Sequence, residues 1–498
     1  MKMITNLRRL PYHVLLVPVF FVLHGYVENF GFISGSDALF LALRYCAFAA
    51  AVFLLSRLAF KNNRKAALMT TAWIALYLFF GAVFDFIKAH SPIKLLYRYV
   101  FLGPLFILLL VALFVYLKKS KREIYQITLF LNLLFLIYIL VDLGQAAWMN
   151  TRPREYKLAM YNFGSMNKFK IPDSCAKPDI YFLLFDEYAS SISLKEKYNF
   201  INNLDTFLLA RKFSIQKHST SNYNYTPFSM SSTLNMKFLD WLNVEKGITR
   251  DDFLKTNIAI AQNEVISFFG HNGYQIVNYS MFDLVSAPSI IKQEFLPVKT
   301  KMITEGTLFS RLYKDFEWVF VEIRHIDNNE LFIRKVKEAS ASKHKLPQFI
   351  YAHFYMPHEP FFFDKNGRRK DDETVMAEYK IRSIPAYLEY LQYTNTRIRE
   401  LIDTILLNTN SSATIILASD HGFRSVTTLP HPKFHFQNLN AIYFPSGKYD
   451  KLYDSLSNVN LFRVVLNSLY DQHLPLLKDS TIFLEHAGWL ENQKKIAH

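Results

Sequence analysis

Cysteine is almost missing from this chain. Cys46 and Cys175 are the only two in 498 residues, which excludes a disulfide scaffold and leaves Cys175 as a stray thiol. Glycine and proline are scarce, at 15 and 18, so collagen-like, elastic and linker-dominated designs are excluded. Charged residues make up only 20%, against 51% hydrophobic and 16% aromatic, and such a chain is expected to bury a large core. Acidic residues are the scarcer sign, 42 against 57 Lys and Arg, giving a net charge of +15. A basic balance of that size suggests nucleic acid, but its location does not. Residues 1–150 carry 15 Lys and Arg against 5 Asp and Glu, so most of the excess lies among apolar segments and no nucleic-acid partner is expected.

Those segments are long. Leu10 to Phe30, Ala38 to Phe60, Ala66 to Ile87, Tyr97 to Leu117 and Ile124 to Trp148 each approach the roughly 20 residues that cross about 30 Å of hydrocarbon. The first follows Lys2, Arg8 and Arg9 like a signal-peptide core, yet no small-residue cleavage site follows it, so an uncleaved span is expected. Five transmembrane helices result. Basic residues mark alternate loops: Arg57, Lys61, Arg64 and Lys65 in the second, Lys118, Lys119, Lys121 and Arg122 in the fourth. The first carries Glu28 and Asp37, while the third mixes Lys88, Lys94 and Arg98 with Asp85. Because short basic loops stay in the cytoplasm, the N-terminus is expected inside a bacterial-type inner or plasma membrane, and everything after Trp148 outside the cytoplasm. Arg44 and Asp142 are expected to snorkel at the outer interface.

The expected domains are a five-helix membrane domain at 1–149, a juxtamembrane connector at 150–176 and an outer domain at 177–498. The connector mixes Arg152, Arg154 and Lys157 with Tyr156, Met160 and Tyr161, and reads equally as an amphipathic surface segment or a solvated linker. From Lys177 onward, strand-like runs alternate with helical ones, which predicts an α/β domain with a mainly parallel sheet flanked by helices. The strand candidates are Asp179 to Phe185, Gln275 to Tyr279, Gln348 to Met356, Thr414 to Ala418 and Asn440 to Phe444. Between the third and fourth, Ile381 to Leu407 has helical spacing.

Ligands of open α/β sheets bind beyond the carboxyl ends of strands, and three of these ends are chemically rich. The first runs into Asp186-Glu187; the third contains His353 and leads to His358-Glu359-Pro360; the fourth ends in Ser419-Asp420-His421-Gly422. Carboxylates and imidazoles at one sheet edge suit a divalent cation, and an Asp, Asp, His and Thr set suits Mn²⁺, Zn²⁺ or Mg²⁺. A nucleophile candidate lies in Tyr225-Thr226-Pro227-Phe228-Ser229, although such a Ser/Thr run is more often a turn or helix cap.

A strand followed by Asp186, Thr226 about 40 positions later with Ser229 behind it, His358-Glu359-Pro360-Phe361, and Asp420-His421-Gly422 after a strand together resemble the alkaline phosphatase superfamily in its sulfatase-like branch. Five spans ahead of such a domain are similar to lipoteichoic acid synthases and lipid A phosphoethanolamine transferases. The resemblance implies one divalent metal, with room for a second, held by Asp186, Thr226, Asp420 and His421. It implies that Thr226 is also the nucleophile, and that His358 is a substrate-side or second-metal histidine. Glu187 remains an alternative first ligand. His353, Arg424, His431 and His435 lie near the motifs without a family position. The Cys/Ser-x-Pro-x-Arg motif of sulfatases is missing, since Thr226-Pro227-Phe228-Ser229-Met230 has neither the Cys nor the Arg. The disulfides usual in the outer domain of phosphoethanolamine transferases cannot form either. The implied activity is transfer of a phosphoryl head group from a membrane phospholipid donor to an envelope glycan or lipid acceptor. The alternatives are a hydrolase of phospho- or sulfo-esters and a non-catalytic membrane protein with a degenerate domain, whose ligands would not converge.

Overall fold

The computed structural model describes residues 7, 10–30, 33–151, 165–291, 300–424 and 433–486. The basic and aromatic stretch expected to form most of the connector, 152–164, lies outside the described residues. The chain divides into two compact units, residues 1–160 with 297–320, and 161–296 with 321–498.

In the first unit the apolar runs form α1 (His13–Glu28), α2 (Gly35–Ala59), α3 (Asn63–Leu78), α4 (Phe80–His90), α5 (Tyr99–Lys119) and α6 (Tyr125–Thr151). Capping fixes the starts. Ser34 accepts from the Asp37 amide, and Asn62 from the amides of Arg64 and Lys65, meeting donors that have no partner within the helix. Helices α2, α5 and α6 are long and apolar enough to cross a membrane; α1 is shorter, at 16 residues. The third expected span is broken, because α3 and α4 bend by 58° about Phe79. Just past the bend, the Gly81 amide donates to the Gly306 carbonyl at 2.7 Å, and a Cβ on Gly81 would lie 2.6 Å from that oxygen. A downstream segment thus docks where the helix ladder is interrupted, and Arg311 adds an ion pair to Asp85 at 2.5 Å.

The second and fourth loops lie together, since Arg64 pairs with Glu123 at 2.8 Å and the Lys65 ammonium donates to the Ser120 carbonyl at 2.5 Å. Arg44 is exposed. Asp142 departs from the expected snorkelling. Its side chain is buried, with Oδ1 3.2 Å from His24 Nδ1, because a short carboxylate midway along α6 reaches a partner on α1 more readily than an interface.

The second unit is built on a six-stranded sheet: β1 (Ile180–Phe185), β2 (Ser214–Ile215), β3 (Gln275–Tyr279), β4 (Gln348–Phe354), β5 (Thr414–Ala418) and β6 (Asn440–Tyr443), in the order β2-β6-β5-β1-β4-β3. Strands β3, β4, β1 and β5 are parallel, while β6 runs antiparallel to β5 and β2 antiparallel to β6. The sheet is therefore mixed at one side, and two-residue β2 falls below the length that shows as a pattern. Every residue of β1 is buried, because both faces are covered. Phe182 and Leu184 pack with Phe462 and Val465 of one helical layer, while Tyr181 and Leu183 meet Tyr387, Leu391 and Ile398 on the other face. The latter belong to α7 (Ile384–Asn408), close to the expected Ile381 to Leu407 and capped by Ser383.

In the parallel register Leu184 lies beside both His353 and Ala418. The carboxyl ends of β1, β4 and β5 therefore finish side by side, and the residues that leave these three strands share one edge.

Candidate metal and nucleophile site

Asp186 leaves β1 with its amide bonded to the Phe354 carbonyl, which aligns it with the end of β4. Glu187 then takes φ +61°, a left-handed conformation that a non-glycine residue holds only when its surroundings impose it. Three contacts do so. The Glu187 amide donates to Asp420 Oδ1 at 3.0 Å, the Tyr188 amide to Ser419 Oγ at 2.9 Å, and the Tyr387 hydroxyl to the Glu187 carbonyl at 3.1 Å. This turn sends the two neighbouring acids to different partners.

Thr226 opens a ten-residue helix, Thr226–Asn235, that is buried throughout. Tyr225 before it is extended and Pro227 fits the first turn, so the Thr226 side chain stands at the positive end of the helix dipole. Ser229 Oγ, one turn on, donates to the Asp420 carbonyl at 2.5 Å and so ties this helix to the end of β5.

After β5, Gly422 permits a close crossing. A Cβ there would lie 2.3 Å from the Phe434 carbonyl oxygen and 2.6 Å from that of Gln437, and its amide donates to the His435 carbonyl at 2.9 Å. The turn is also held by Asn458, whose amide nitrogen donates to the Ser419 and Asp420 carbonyls at 3.1 and 3.2 Å, and by Asn438, which donates to Ser419 at 2.6 Å. Sequence reasoning missed both asparagines. The one visible signal, and only for Asn458, is the run Ser457-Asn458-Val459-Asn460 opening a largely apolar helix.

His421 Nδ1 bonds the Gly422 carbonyl at 2.9 Å. A carbonyl can only accept, so Nδ1 carries the hydrogen and Nε2 presents a lone pair. That lone pair lies 3.3 Å from Thr226 Oγ1 and 3.1 Å from Asp420 Oδ2. Asp420 Oδ2 and Asp186 Oδ1 are themselves buried without a hydrogen-bond partner. Ligand atoms of Asp186, Asp420 and His421 all lie within 4.8 Å of one another. Buried carboxylate oxygens left unpartnered this close to a second carboxylate and an imidazole lone pair are costly unless a cation joins them, so the residues present fit a divalent ion.

The electrostatics agree. Burial and the neighbouring Asp186 raise the Asp420 carboxyl well above the usual range. In Asp186, burial acts the same way but is outweighed by His358, His353 and His421, which lower it. Burial, then Arg424, drives His421 down to about 3, which keeps its Nε2 lone pair free.

The remaining candidates lie around this cluster. Glu187 is committed to Arg424, whose backbone amide and Nε each donate to Oε1 at 3.0 Å. His353, fully buried, has Nε2 3.6 Å from Asp186 Oδ2 and Nδ1 3.0 Å from the Tyr351 hydroxyl. His358 is partly exposed, with Nε2 3.7 Å from Glu187 Oε2; burial opposes its charge, but Asp186 and Glu187 outweigh that and raise its pKa. His435 meets the site through its backbone, its ring resting 5.6 Å from Phe483, and burial lowers it to about 4. His431 lies outside the described residues.

The sulfatase family profile matches residues 188–465, more than half of the chain. The chain belongs to the sulfatase family. This domain is accordingly of the alkaline phosphatase superfamily, and its similar solved structures include both transferases and sulfatases. The C-terminal periplasmic domain of EptC from Escherichia coli, in complex with Zn, aligns at 10% identity and TM-score 0.40, over 62% of this chain and 88% of that one. The corresponding domain of phosphoethanolamine transferase EptC from Campylobacter jejuni aligns at 13% identity and TM-score 0.37, over 60% and 94%. A putative sulfatase from Bacteroides thetaiotaomicron gives 12% and 0.41, over 64% and 75%. No curated protein matches the chain by sequence.

Proposed function

We propose that this sulfatase-family protein is a membrane-anchored, metal-dependent transferase that moves a phosphoryl head group from a phospholipid to an extracytoplasmic glycan or lipid, with Thr226 as nucleophile. The observation that carries this reading is the hydroxyl of Thr226, at a helix N-terminus, set 3.3 Å from the lone pair of His421 among the unpartnered oxygens of Asp186 and Asp420.

Asp186, Asp420, His421 and Thr226 would hold the ion. Once bound, a divalent cation supplies the positive charge that lowers the hydroxyl's pKa and offsets charge on a non-bridging phosphoryl oxygen. Thr226 Oγ1, its proton passed to solvent water, attacks phosphorus in line, and the bond to the diacylglycerol oxygen breaks. His358, its pKa raised beside Glu187 and Asp186, gives a proton to the leaving oxygen. The acceptor hydroxyl then returns a proton to His358 as it attacks the phosphothreonine, and Thr226 Oγ1 leaves and takes a proton back from solvent water. Asn458, Asn438 and Ser229 hold the strand end so that these atoms stay in register.

The proposal places five spans ahead of this domain, with the N-terminus in the cytoplasm. In support, the two basic loops lie together through the Arg64–Glu123 and Lys65–Ser120 contacts, as alternate loops of a serpentine bundle must. Tethering would keep the site near a donor that stays in the bilayer. A hydrolase using water as acceptor is the second reading, favoured by the family match itself; Thr226-Pro227-Phe228-Ser229-Met230 argues against sulfate esters by the formylglycine route.

Mass spectrometry of lipids and envelope glycans from cells carrying the wild-type protein or Thr226→Ala tests the reading. Loss of one phospho-substituent from an acceptor, with loss of diacylglycerol release, is the expected result. An unchanged acceptor profile overturns transfer, and diacylglycerol or free phospho-headgroup released without any modified acceptor would favour the hydrolase.

A further inference from the structure

The match to the sulfatase family stops at residue 465, while the described chain runs on to His486. Its last stretch, Ser480 to His486, is a strap laid along the segment that leads into Thr226. The Ile482 amide donates to the Asn222 carbonyl at 2.8 Å. The Asn222 side chain bridges further, with Nδ2 donating to the Ser480 carbonyl at 2.8 Å and Oδ1 accepting from the Val459 amide at 2.7 Å. Two residues on, Asn224 meets the strap through its side chain alone: Oδ1 accepts from the Leu484 amide at 2.8 Å, and Nδ2 donates to the Leu484 carbonyl at 3.1 Å. The His486 ring then meets Tyr225 edge to face at 5.4 Å and stacks on Phe253 at 5.8 Å, and Phe253 in turn packs on Phe228 at 5.0 Å. Leu484 is buried among Tyr223, Phe228, Leu239 and Ile248. The strap therefore grips the chain on both sides of Thr226.

We propose that Asn224 is a positioning residue for the nucleophile: by clamping the segment ahead of Thr226 to Leu484, it lets the strap set where Thr226 Oγ1 stands. A side-chain amide carries donor and acceptor groups like those of a peptide unit, so it can exchange two hydrogen bonds with the backbone of a single residue, as paired strand residues do. Both bonds lie where the asparagine is buried, so a truncated side chain leaves the Leu484 amide and carbonyl unsatisfied and the segment free to shift. Only extended Tyr225 separates Asn224 from Thr226, and a shift there carries to the hydroxyl. In-line attack is sensitive to such a shift, because a misplacement of about 1 Å can cost on the order of 100-fold in rate. Asp186, Asp420 and His421 stand instead at the ends of β1 and β5, so metal uptake does not depend on the strap. This rests on the reading of Thr226 as nucleophile.

The test uses the full chain in detergent, loaded with zinc and assayed with a phosphodiester probe well below its melting temperature. In Asn224→Ala, kcat should fall by roughly 10-fold to 100-fold while KM stays within about threefold of wild type, and zinc content after desalting should match wild type. A merely structural asparagine would lower the melting temperature and leave kcat of the folded protein alone. A wild-type kcat in Asn224→Ala therefore overturns the proposal, as does a loss confined to KM or to zinc content. Should Asn224→Ala fail to fold, His486→Ala decides, since it removes only the ring that the strap sets against Tyr225 and Phe253. Its kcat should fall by roughly 3-fold to 10-fold at unchanged zinc content, and a wild-type kcat there overturns the proposal. Full activity in Thr226→Ala would sink the nucleophile reading itself, whereas an inactive Thr226→Ala beside a wild-type Asn224→Ala would sink the positioning role alone.

Discussion

Thr226 Oγ1 and His421 Nε2 stand 3.3 Å apart, with the other nitrogen of that imidazole committed to the Gly422 carbonyl. The commitment fixes the tautomer of the neutral ring, so Nε2 turns its lone pair toward the hydroxyl and toward the place a cation would take. Thr226→Ala is therefore expected to abolish turnover, by a factor on the order of 10³ or more, while the melting temperature of the metal-loaded protein changes little. Thr226→Ser, which keeps the oxygen, should retain part of the activity. Steady-state rates with a phosphodiester probe, together with melting curves, check both expectations.

Metal removal should matter more as the pH rises. Burial and Asp186 raise the Asp420 carboxyl in the folded chain, so its contribution to stability is fully present below its unfolded pKa of about 4 and is lost as pH climbs through the folded value. Asp186 is lowered; its contribution is present above the unfolded value and is lost only in acid. Above about pH 5 the metal-free protein thus has one carboxylate that resists ionising, and a bound cation removes that resistance. The gap in melting temperature between zinc-loaded and chelator-treated protein should widen from pH 5.5 to pH 8. A constant or narrowing gap would count against the Asp186, Asp420 and His421 ligand set.

The sequence made β1, β3, β4, β5 and β6 legible within two residues at each end; β1, β4, β5 and β6 are buried along their length and read as mainly apolar stretches, whereas the half-buried edge strand β3 showed only as a short run. The direction of β6 was not legible, since alternation carries no sign of parallel or antiparallel pairing. Ala66 to Ile87 shows no interruption in composition. The bend at Phe79 adjoins the contact of the Gly306 carbonyl with Gly81, more than 200 positions away in the chain. At the site, Asp-His-Gly and Thr-Pro were visible as motifs, whereas the choice between Asp186 and Glu187 was not. It depends on the φ of +61° at Glu187 and on Arg424, neither of which adjacent letters encode.

Gly422→Ala tests whether the Asp-His-Gly turn needs glycine for space. The added methyl would lie 2.3 Å from one carbonyl oxygen and 2.6 Å from another, and backbone on both sides cannot yield as a flexible side chain would. A loss of about 1–3 kcal/mol or more in stability is expected, along with weaker metal binding as Asp420 and His421 shift. Denaturation midpoints and zinc titration check the two effects. A variant with wild-type values for both would show that the strand end is looser than these contacts imply.

His358 should govern the alkaline side of the pH profile. As an acid it must be protonated to serve the leaving oxygen, and the carboxylates of Asp186 and Glu187 outweigh burial to raise its pKa above 6.5. The rate therefore stays level below that raised value and falls as pH rises through it. In Glu187→Gln one raising charge is gone, so the falling limb should move to lower pH. His358→Gln should lower kcat by about 10²-fold to 10⁴-fold and erase the limb. The dependence on leaving group separates these roles: with a p-nitrophenyl ester, whose leaving oxygen needs no proton, the His358→Gln defect should shrink. A defect of equal size with both kinds of ester would assign His358 to binding instead of proton transfer.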